Sequence, residues 1–282
     1  MFKALTDAVI VRGAGAAGLL RGFCVLPVLH VERLHEDRSF DNALQFCRDY
    51  QNACGRKPLV AAIPPNAPLL VRALDKAGFP EAAYAERLAE LARVADIGLH
   101  GHYLRGDSGA PIHHYWSERA PVHAQMSAEI AWLESRGLMR RRFYAAGWWY
   151  EDSMLRELLR EFGFEFDFSL SISRYNLGPL SWQGPRSADA IPPGAVPVWA
   201  VCRICATGTH SHVPRQLLRG FGPRPAARWH CTVSLYGHDW DMDPAAARVT
   251  LRDLARAGAR LIGLQDLTQA SARPLQGVCH QH

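Results

Sequence analysis

Three short apolar segments of this chain each end in residues that can bind a metal or move a proton. They are residues 28–32 (VLHVE), 96–103 (DIGLHGHY) and 235–239 (LYGHD), and helical sequence separates them. In an α/β barrel, parallel strands present such side chains at their carboxyl ends, which all lie at one face of the barrel. Three such segments in order along one chain therefore predict a single site at the mouth of a barrel.

Strand-like and helix-like patterns alternate along the rest of the sequence. Residues 25–31 have the pattern of a buried strand, and residues 40–53 carry apolar side chains at helical spacing. Alternation of this kind is typical of parallel βα units, and 282 residues suit one barrel. The further predicted strands are 57–65, 97–99, 141–145, 164–168, 232–236 and 261–264; the further predicted helices are 69–77, 81–92, 124–135, 151–162 and 244–257.

Composition narrows the class of protein. The chain is 48% hydrophobic, which is enough to bury a core, and its net charge of +5 comes from scattered arginines rather than from a stripe that nucleic acid would need. We predict no membrane span, because every apolar run is far shorter than about 20 residues. We predict no signal peptide, because the N-terminus lacks a basic region followed by an uninterrupted apolar stretch and a cleavage site. Seven dispersed cysteines suggest mostly free thiols in a reducing compartment, so we expect a cytoplasmic protein. The sequence does not indicate an oligomeric state.

His100 and His102 are the strongest candidate metal ligands. They stand two residues apart in a predicted strand end, so their side chains share one face and can form a pair of imidazole ligands. The alternative is that both are exposed side chains of a surface loop.

His30 and Glu32 show the same two-residue spacing at the end of the first predicted strand. Glu32 can give a carboxylate oxygen to a divalent metal, and His30 can act as a base. The alternative is that Glu32 forms an ion pair with Arg33 or Arg38.

His238 ends a predicted strand and is followed by carboxylates, among them Asp239. A histidine beside a carboxylate is suited to general acid catalysis. The alternative is a polar loop in which Asp241 or Asp243 caps the helix that begins near Pro244.

These segments together resemble the polysaccharide deacetylases, metal-dependent carbohydrate esterases that include the nodulation-factor chitooligosaccharide deacetylases. Residues 96–104 (DIGLHGHYL) are similar to the second motif of that family, and residues 142–150 with residues 163–169 (GFEFDFS) are similar to the third. Residues 30–32 and 235–238 align with the first and last motifs. The resemblance implies a distorted, incomplete TIM-like (β/α) barrel at residues 25–272, with an N-terminal extension at 1–24 and a tail at 273–282.

The sequence departs from the family pattern at the metal site. His30 replaces the aspartate that serves as catalytic base, Glu32 replaces the metal-binding aspartate, and Leu104 stands where the second metal histidine belongs. A metal held by two protein side chains would have too few ligands. Without a replacement, the barrel would bind sugar and not hydrolyse it. The candidates to complete the set are His102, His113 and His114.

The chemistry that the resemblance implies is hydrolysis of an N-acetyl group on an amino sugar of a cell-surface polysaccharide or its precursor. A divalent ion, with zinc as the first candidate, would polarise the acetyl carbonyl and activate water. The aromatic residues 148–150 could stack on the sugar ring. For at least one of these three, the alternative is packing in the core. The predicted roles are catalysis for His30, His238 and Asp239, metal binding for Glu32, His100 and His102, and substrate binding for Tyr103, Trp148, Trp149 and Tyr150.

Two other patterns favour different functions. Residues 13–18 (GAGAAG) follow an apolar run and precede Glu32 at the spacing of a dinucleotide-binding motif, which would indicate an oxidoreductase with a nucleotide cofactor. The span between Gly18 and Pro27 is short for the helix that this motif requires. Cys202 and Cys205, with two histidines downstream, have the spacing of a structural zinc site or of two buried thiols.

Overall fold

The structure is a computed structural model that describes most of the chain. The described residues are 20, 23–105, 109–112, 118–150, 152–169, 196–198, 200–204 and 231–267. The GAGAAG segment, His113, His114, Cys205 and the C-terminal residues 268–282 lie outside them.

The described strands form one parallel sheet that curls into a half-barrel with helices outside it. Its strand order is β6-β5-β4-β3-β2-β1-β8-β7, and β9 pairs with β1. This is the α/β half-barrel that the sequence predicts. The strands are β1 Phe23–Val31, β2 Leu59–Ala62, β3 Asp96–Gly101, β4 Phe143–Ala146, β5 Phe166–Asp167, β6 Val196–Pro197, β7 Ala200–Arg203, β8 Cys231–His238 and β9 Arg260–Leu261.

Six helices occur in the described residues, and local signals place their ends. Gly55 and Gly78 end α1 and α2 in the left-handed conformation, with φ of 67° and 60°. Asp152 and Asp243 cap α5 and α6 through hydrogen bonds from backbone N–H groups of the first turn. The helices are α1 Asp37–Cys54, α2 Pro68–Ala77, α3 Glu81–Val94, α4 Arg119–Ser135, α5 Ser153–Glu161 and α6 Pro244–Arg256.

Strand β1 shows how the core directs side chains towards the mouth of the barrel. Val25, Leu29 and Val31 pack in the large cluster between the sheet and the helices. Residues of the opposite parity, such as Leu26 and Val28, pack in a smaller cluster that contains no side chain from α1–α6. His30 continues this second row, so the alternation of the strand places its imidazole on the inner face of the sheet.

Some element bounds differ from the sequence predictions. The predicted strand at residues 261–264 is wrong, because β9 ends at Leu261 and a 3₁₀ turn follows at Leu264–Asp266. The Asp266 carboxylate closes that turn by accepting a hydrogen bond from the Gly263 N–H at 2.9 Å. Helix α4 begins at Arg119, five residues before the predicted start at residue 124.

The N-terminal part of the barrel begins before residue 25. Leu20 is fully buried, and its N–H donates to the carbonyl of Ala257 at 3.0 Å. Strand β1 starts at Phe23, five residues after Gly18, which leaves no room for the crossover helix of a dinucleotide-binding unit.

Two findings concern membrane-spanning helices and free cysteines. Among the described helices, none is long and apolar enough to cross a bilayer. Cys24 and Cys47 are buried free thiols, and Cys54 is a half-buried one.

Candidate metal centre

The ends of β1, β3 and β8 bring the three predicted segments together. His30 and His238 are register partners across the β1–β8 pair, and β2 separates β1 from β3. Glu32 Oε1 lies 3.2 Å from His100 Nε2 and 3.9 Å from His238 Nε2. The convergence that the strand ends predict is therefore present.

Glu32, His100 and His102 form a compact group of possible metal ligands. Glu32 Oε1 lies 3.3 Å from His102 Nε2, and the two Nε2 atoms of the histidines lie 3.0 Å apart. His100 is buried, and its Nδ1–H donates to the carbonyl of Ala145 at 2.8 Å. That bond orients the ring so that Nε2 is the nitrogen that faces Glu32 and that a metal would use.

The electrostatics of this group suit a cation. Burial alone would raise the pKa of Glu32, but hydrogen bonds from His100 and His102 outweigh burial and hold that pKa well below its usual range. Burial lowers the pKa of His102 to about 4. An ionised carboxylate at Glu32 beside a neutral imidazole at His102 is the protonation state in which these two side chains bind metal.

Two buried nitrogens of the site have no hydrogen-bond partner among the described residues. They are His30 Nε2 and His102 Nδ1. The His30 ring is 3% exposed and lies 4.4 Å from the ring of His100 and 5.2 Å from that of His238. Burial, followed by the charges of these neighbouring histidines, lowers the pKa of His30 well below its usual value. The Glu–His–His donor set itself fits a divalent metal such as zinc.

Leu104 cannot contribute a ligand, and the structure shows why the chain tolerates it. Leu104 is buried, and its backbone N–H and carbonyl both bond to the side chain of Gln125, at 3.0 and 2.6 Å. Of the three predicted replacements, His102 lies at the site, whereas His113 and His114 are outside the described residues.

Asp239 faces the backbone rather than the group of ligands. Its carboxylate is fully buried and accepts hydrogen bonds from the N–H groups of Glu32 at 3.2 Å, Arg33 at 2.7 Å and Trp240 at 3.0 Å. Burial raises the pKa of Asp239 to about 7, although these hydrogen bonds oppose the shift. Asp239 thereby fixes the turn that carries Glu32 out of β1.

His238 lies beside a carboxylate that sequence reasoning did not assign to it. Its backbone N–H donates to Asp241 Oδ1 at 3.2 Å, and its Nδ1 lies 3.9 Å from the same oxygen. Asp243, the other capping candidate, does cap α6, through the N–H groups of Ala245 and Ala246. Both Asp239 and Asp241 follow His238 closely in the sequence, so the sequence gives no signal that separates them.

Gly147 makes room for the imidazole of His102. A Cβ atom at Gly147 would overlap the imidazole of His102. The next two residues, Trp148 and Trp149, both have positive φ, at 50° and 55°. This conformation is unusual for bulky side chains and concentrates backbone strain beside the site.

The predicted aromatic contacts divide into exposed and buried residues. Trp148 is 41% exposed, and its ring lies edge-on to His102 at 4.4 Å. Trp149 is half-buried, 5.9 Å from the ring of His30. Tyr103 and Tyr150 are both 1% exposed and pack in the large hydrophobic cluster.

Sequence reasoning missed Trp240. This residue is 38% exposed, yet its indole Nε1–H donates to Glu32 Oε2 at 3.0 Å. Its ring lies 5.2 Å from that of His238. Its position directly after the residues 235–239 segment was the signal.

No protein-family model matches this chain, and no curated protein matches it. Among solved structures it is similar to a Mycobacterium smegmatis protein described as a polysaccharide deacetylase, with a TM-score of 0.56 and 15% identity over 89% of this chain and 90% of that one. It is also similar to an Enterococcus faecalis V583 protein described as a cellobiose-phosphate cleavage protein, with a TM-score of 0.51 and 10% identity over 87% and 98%.

A family 4 carbohydrate esterase from Streptomyces lividans, solved in complex with acetate, has a TM-score of 0.41 and 14% identity over 84% of this chain and 91% of that one. At these identities the likeness is one of fold. The chain folds as an incomplete α/β barrel of the polysaccharide deacetylase type.

Proposed function

We propose that this protein is a metal-dependent deacetylase that hydrolyses the N-acetyl group of an amino sugar in a cell-surface polysaccharide or its precursor. One observation carries the proposal. Glu32, His100 and His102 form a potential metal-binding group at the mouth of a deacetylase-type barrel, with His30 and His238 beside it.

The metal ligands in this proposal are Glu32, His100 and His102. A divalent ion bound to them, for example Zn²⁺, would supply Lewis-acid polarisation of the acetyl carbonyl and a more acidic bound water. The protein prepares for this by holding His100 in one tautomer through the carbonyl of Ala145.

His30 is the proposed general base. It is neutral at physiological pH because burial and its histidine neighbours lower its pKa, and Nε2 has no hydrogen-bond partner among the described residues. Nε2 can therefore accept a proton from the water whose oxygen attacks the acetyl carbon.

His238 is the proposed general acid, and Asp241 is its positioning partner. Cleavage of the C–N bond requires a proton on the departing amine nitrogen, and the reaction then yields acetate and the free amino sugar. His238 is partly exposed at the mouth, and its Nδ1 lies 3.9 Å from Asp241 Oδ1, so its imidazole is accessible to the substrate and has a carboxylate beside it. We assign Asp239 a positioning role through the turn at Glu32.

Trp148 and Trp149 are the proposed sugar contacts. The exposed face of Trp148 beside His102 can pack against the C–H face of a pyranose ring. Tyr103 and Tyr150 are buried, so we assign them to packing rather than to substrate binding.

A second candidate function is a barrel that binds glycan without hydrolysing it. The observation that favours it is His30 itself, because an imidazole with a strongly lowered pKa is a weaker base than one that titrates near neutral pH.

Metal analysis combined with acetate release tests the proposal. We expect the purified chain to bind one equivalent of a divalent metal and to release acetate from N-acetylated amino-sugar oligomers. His100→Ala should lose both properties, and His238→Ala should lose activity and keep the metal.

His123→Ala is the matched control, because His123 is an exposed histidine on α4 that pairs with Glu161 at 3.0 Å, away from the site. Metal binding without acetate release, in the wild type, would favour the glycan-binding candidate. Stoichiometric metal in His100→Ala would contradict the ligand assignment.

A further inference from the structure

Trp240 combines an exposed ring with a fixed polar end. The ring is 38% exposed, but three contacts restrain the residue around it. Its backbone N–H donates to Asp239 Oδ1 at 3.0 Å, the Arg33 guanidinium lies 5.3 Å from the ring centroid, and the His238 ring lies at 5.2 Å. The indole is therefore held in one orientation although much of its face is open.

That orientation aims the indole N–H at the candidate metal ligand Glu32. Nε1–H donates to Glu32 Oε2 at 3.0 Å, while Oε1 of the same carboxylate faces His100 at 3.2 Å and His102 at 3.3 Å. The two oxygens of Glu32 thus have separate partners. Oε2 accepts the hydrogen bond from the indole, and Oε1 lies beside the Nε2 atoms of His100 and His102.

An indole is a good partner for this purpose. Its nitrogen is a donor only, so Trp240 can orient the carboxylate without competing for the metal. Groups that hydrogen-bond to a ligating carboxylate commonly set its orientation and contribute to metal affinity. A glutamate has one more rotatable bond than an aspartate, so its carboxylate has more conformational freedom to restrict.

We propose that Trp240 is a positioning residue that fixes Glu32 as a ligand through one oxygen, Oε1. The inference rests on the proposed metal-dependent function and assigns a role to a residue outside the ligand set. This positioning role requires the indole N–H donor, and an aromatic ring without that donor would not fulfil it.

The test compares Trp240→Phe with Trp148→Phe in the full-length, metal-free chain. Both variants replace an exposed indole that contacts a candidate ligand by a phenyl ring. The Trp148 ring contacts the His102 ring edge-on, and a phenyl ring at residue 148 would keep a contact between two rings. Trp240→Phe, in contrast, loses the N–H donor to Glu32. Trp240→Leu also lacks the donor and is the second test variant.

Titration with Zn²⁺ by calorimetry should show affinity weakened by about ten- to a hundredfold in Trp240→Phe and Trp240→Leu, and unchanged in Trp148→Phe. The visible spectrum of the Co²⁺-loaded chain, which reports the ligand arrangement, should change in the two Trp240 variants only. Thermal unfolding of the metal-free variants should match the wild type, which separates positioning from a structural role.

The outcomes distinguish the two proposals. If the wild type binds Zn²⁺ and Trp240→Phe binds it equally tightly with the same Co²⁺ spectrum, the positioning role is wrong and the proposed function stands. If the wild type binds no metal, both are wrong.

Discussion

His102 and Gly147 illustrate how single residues define the site. His102 is the candidate ligand in place of Leu104, and it is accommodated only because Gly147 has no side chain where the imidazole lies. Close approach of a ring to the backbone is a common reason for glycine at such positions. The candidate metal site therefore depends on a residue that carries no functional group.

Gly147→Ala should disrupt metal binding through His102. The new methyl group has to displace the imidazole, so we expect Zn²⁺ affinity at least about tenfold weaker. Calorimetric titration measures this change. In the double variant with His102→Ala, the glycine substitution should cause little additional loss, since its target is already gone. Additive losses would show that Gly147 acts on the site in another way.

Glu129 is a buried acid outside the candidate site. It lies on α4, and neither of its oxygens has a hydrogen-bond partner among the described residues. Burial raises its pKa well above the usual 4.5, so the folded state holds the proton after the unfolded chain has released it. Stability is therefore complete below about pH 4.5 and falls as pH rises above the unfolded pKa, by up to about 1.4 kcal/mol per pH unit.

Glu129→Gln should remove this loss of stability with rising pH, because the amide stays neutral. Urea unfolding at pH 5, 6.5 and 8 should show the variant gaining stability over the wild type as pH rises. Glu134→Gln is the control, since Glu134 lies on the same helix at the surface beside Arg142. A wild type more stable than Glu129→Gln at pH 8 would show that the ionised carboxylate has a favourable partner.

At the scale of elements, parallel strands explain why separated segments meet. Strands β1, β3 and β8 all deliver their last residues to the same end of the sheet, so His30, His100 and His238 converge although they are far apart in the sequence. The turns after β1 and β8 are in turn fixed by the carboxylates of Asp239, Asp241 and Asp243.

Helix α6 follows β8 directly, and its start depends on Asp243. The Asp243 carboxylate accepts from the N–H groups of Ala245 at 3.0 Å and Ala246 at 3.1 Å. Asp243→Ala should lower the free energy of unfolding by about 1 kcal/mol, measured by urea denaturation. Asp243→Asn keeps the acceptor and should remain within a few tenths of a kcal/mol of the wild type. Equal losses in both variants would mean that charge, not capping, is the stabilising feature.

At the scale of the whole molecule, the sequence predicts the barrel well because its hydrophobic pattern and stop signals agree along the chain. The buried run of β1, the glycines after α1 and α2 and the aspartate before α6 each act locally, so each is visible in one segment. Strand β6 spans two residues, which is too short for a periodic pattern, and β5 and β9 are likewise shorter than the strands predicted at residues 164–168 and 261–264.

The site was less predictable, because its remaining features depend on which way a side chain turns. Nothing in the sequence distinguishes Asp239, which faces backbone N–H groups, from Asp241, which faces His238. Aromatic residues are equally suited to a core and to a binding surface, so Tyr103 and Tyr150 could not be separated from Trp148. The reach of Trp240 back to Glu32 joins residues 208 positions apart.

The central claim is that Glu32, His100 and His102 hold one divalent metal. The most direct measurement is a crystal structure of the wild-type chain with anomalous diffraction recorded at the absorption edges of zinc and other divalent metals. The account predicts one anomalous peak in contact with Glu32 Oε1 and the Nε2 atoms of both histidines. A peak held by other residues, or a metal-soaked crystal with no peak at these three side chains, would contradict it.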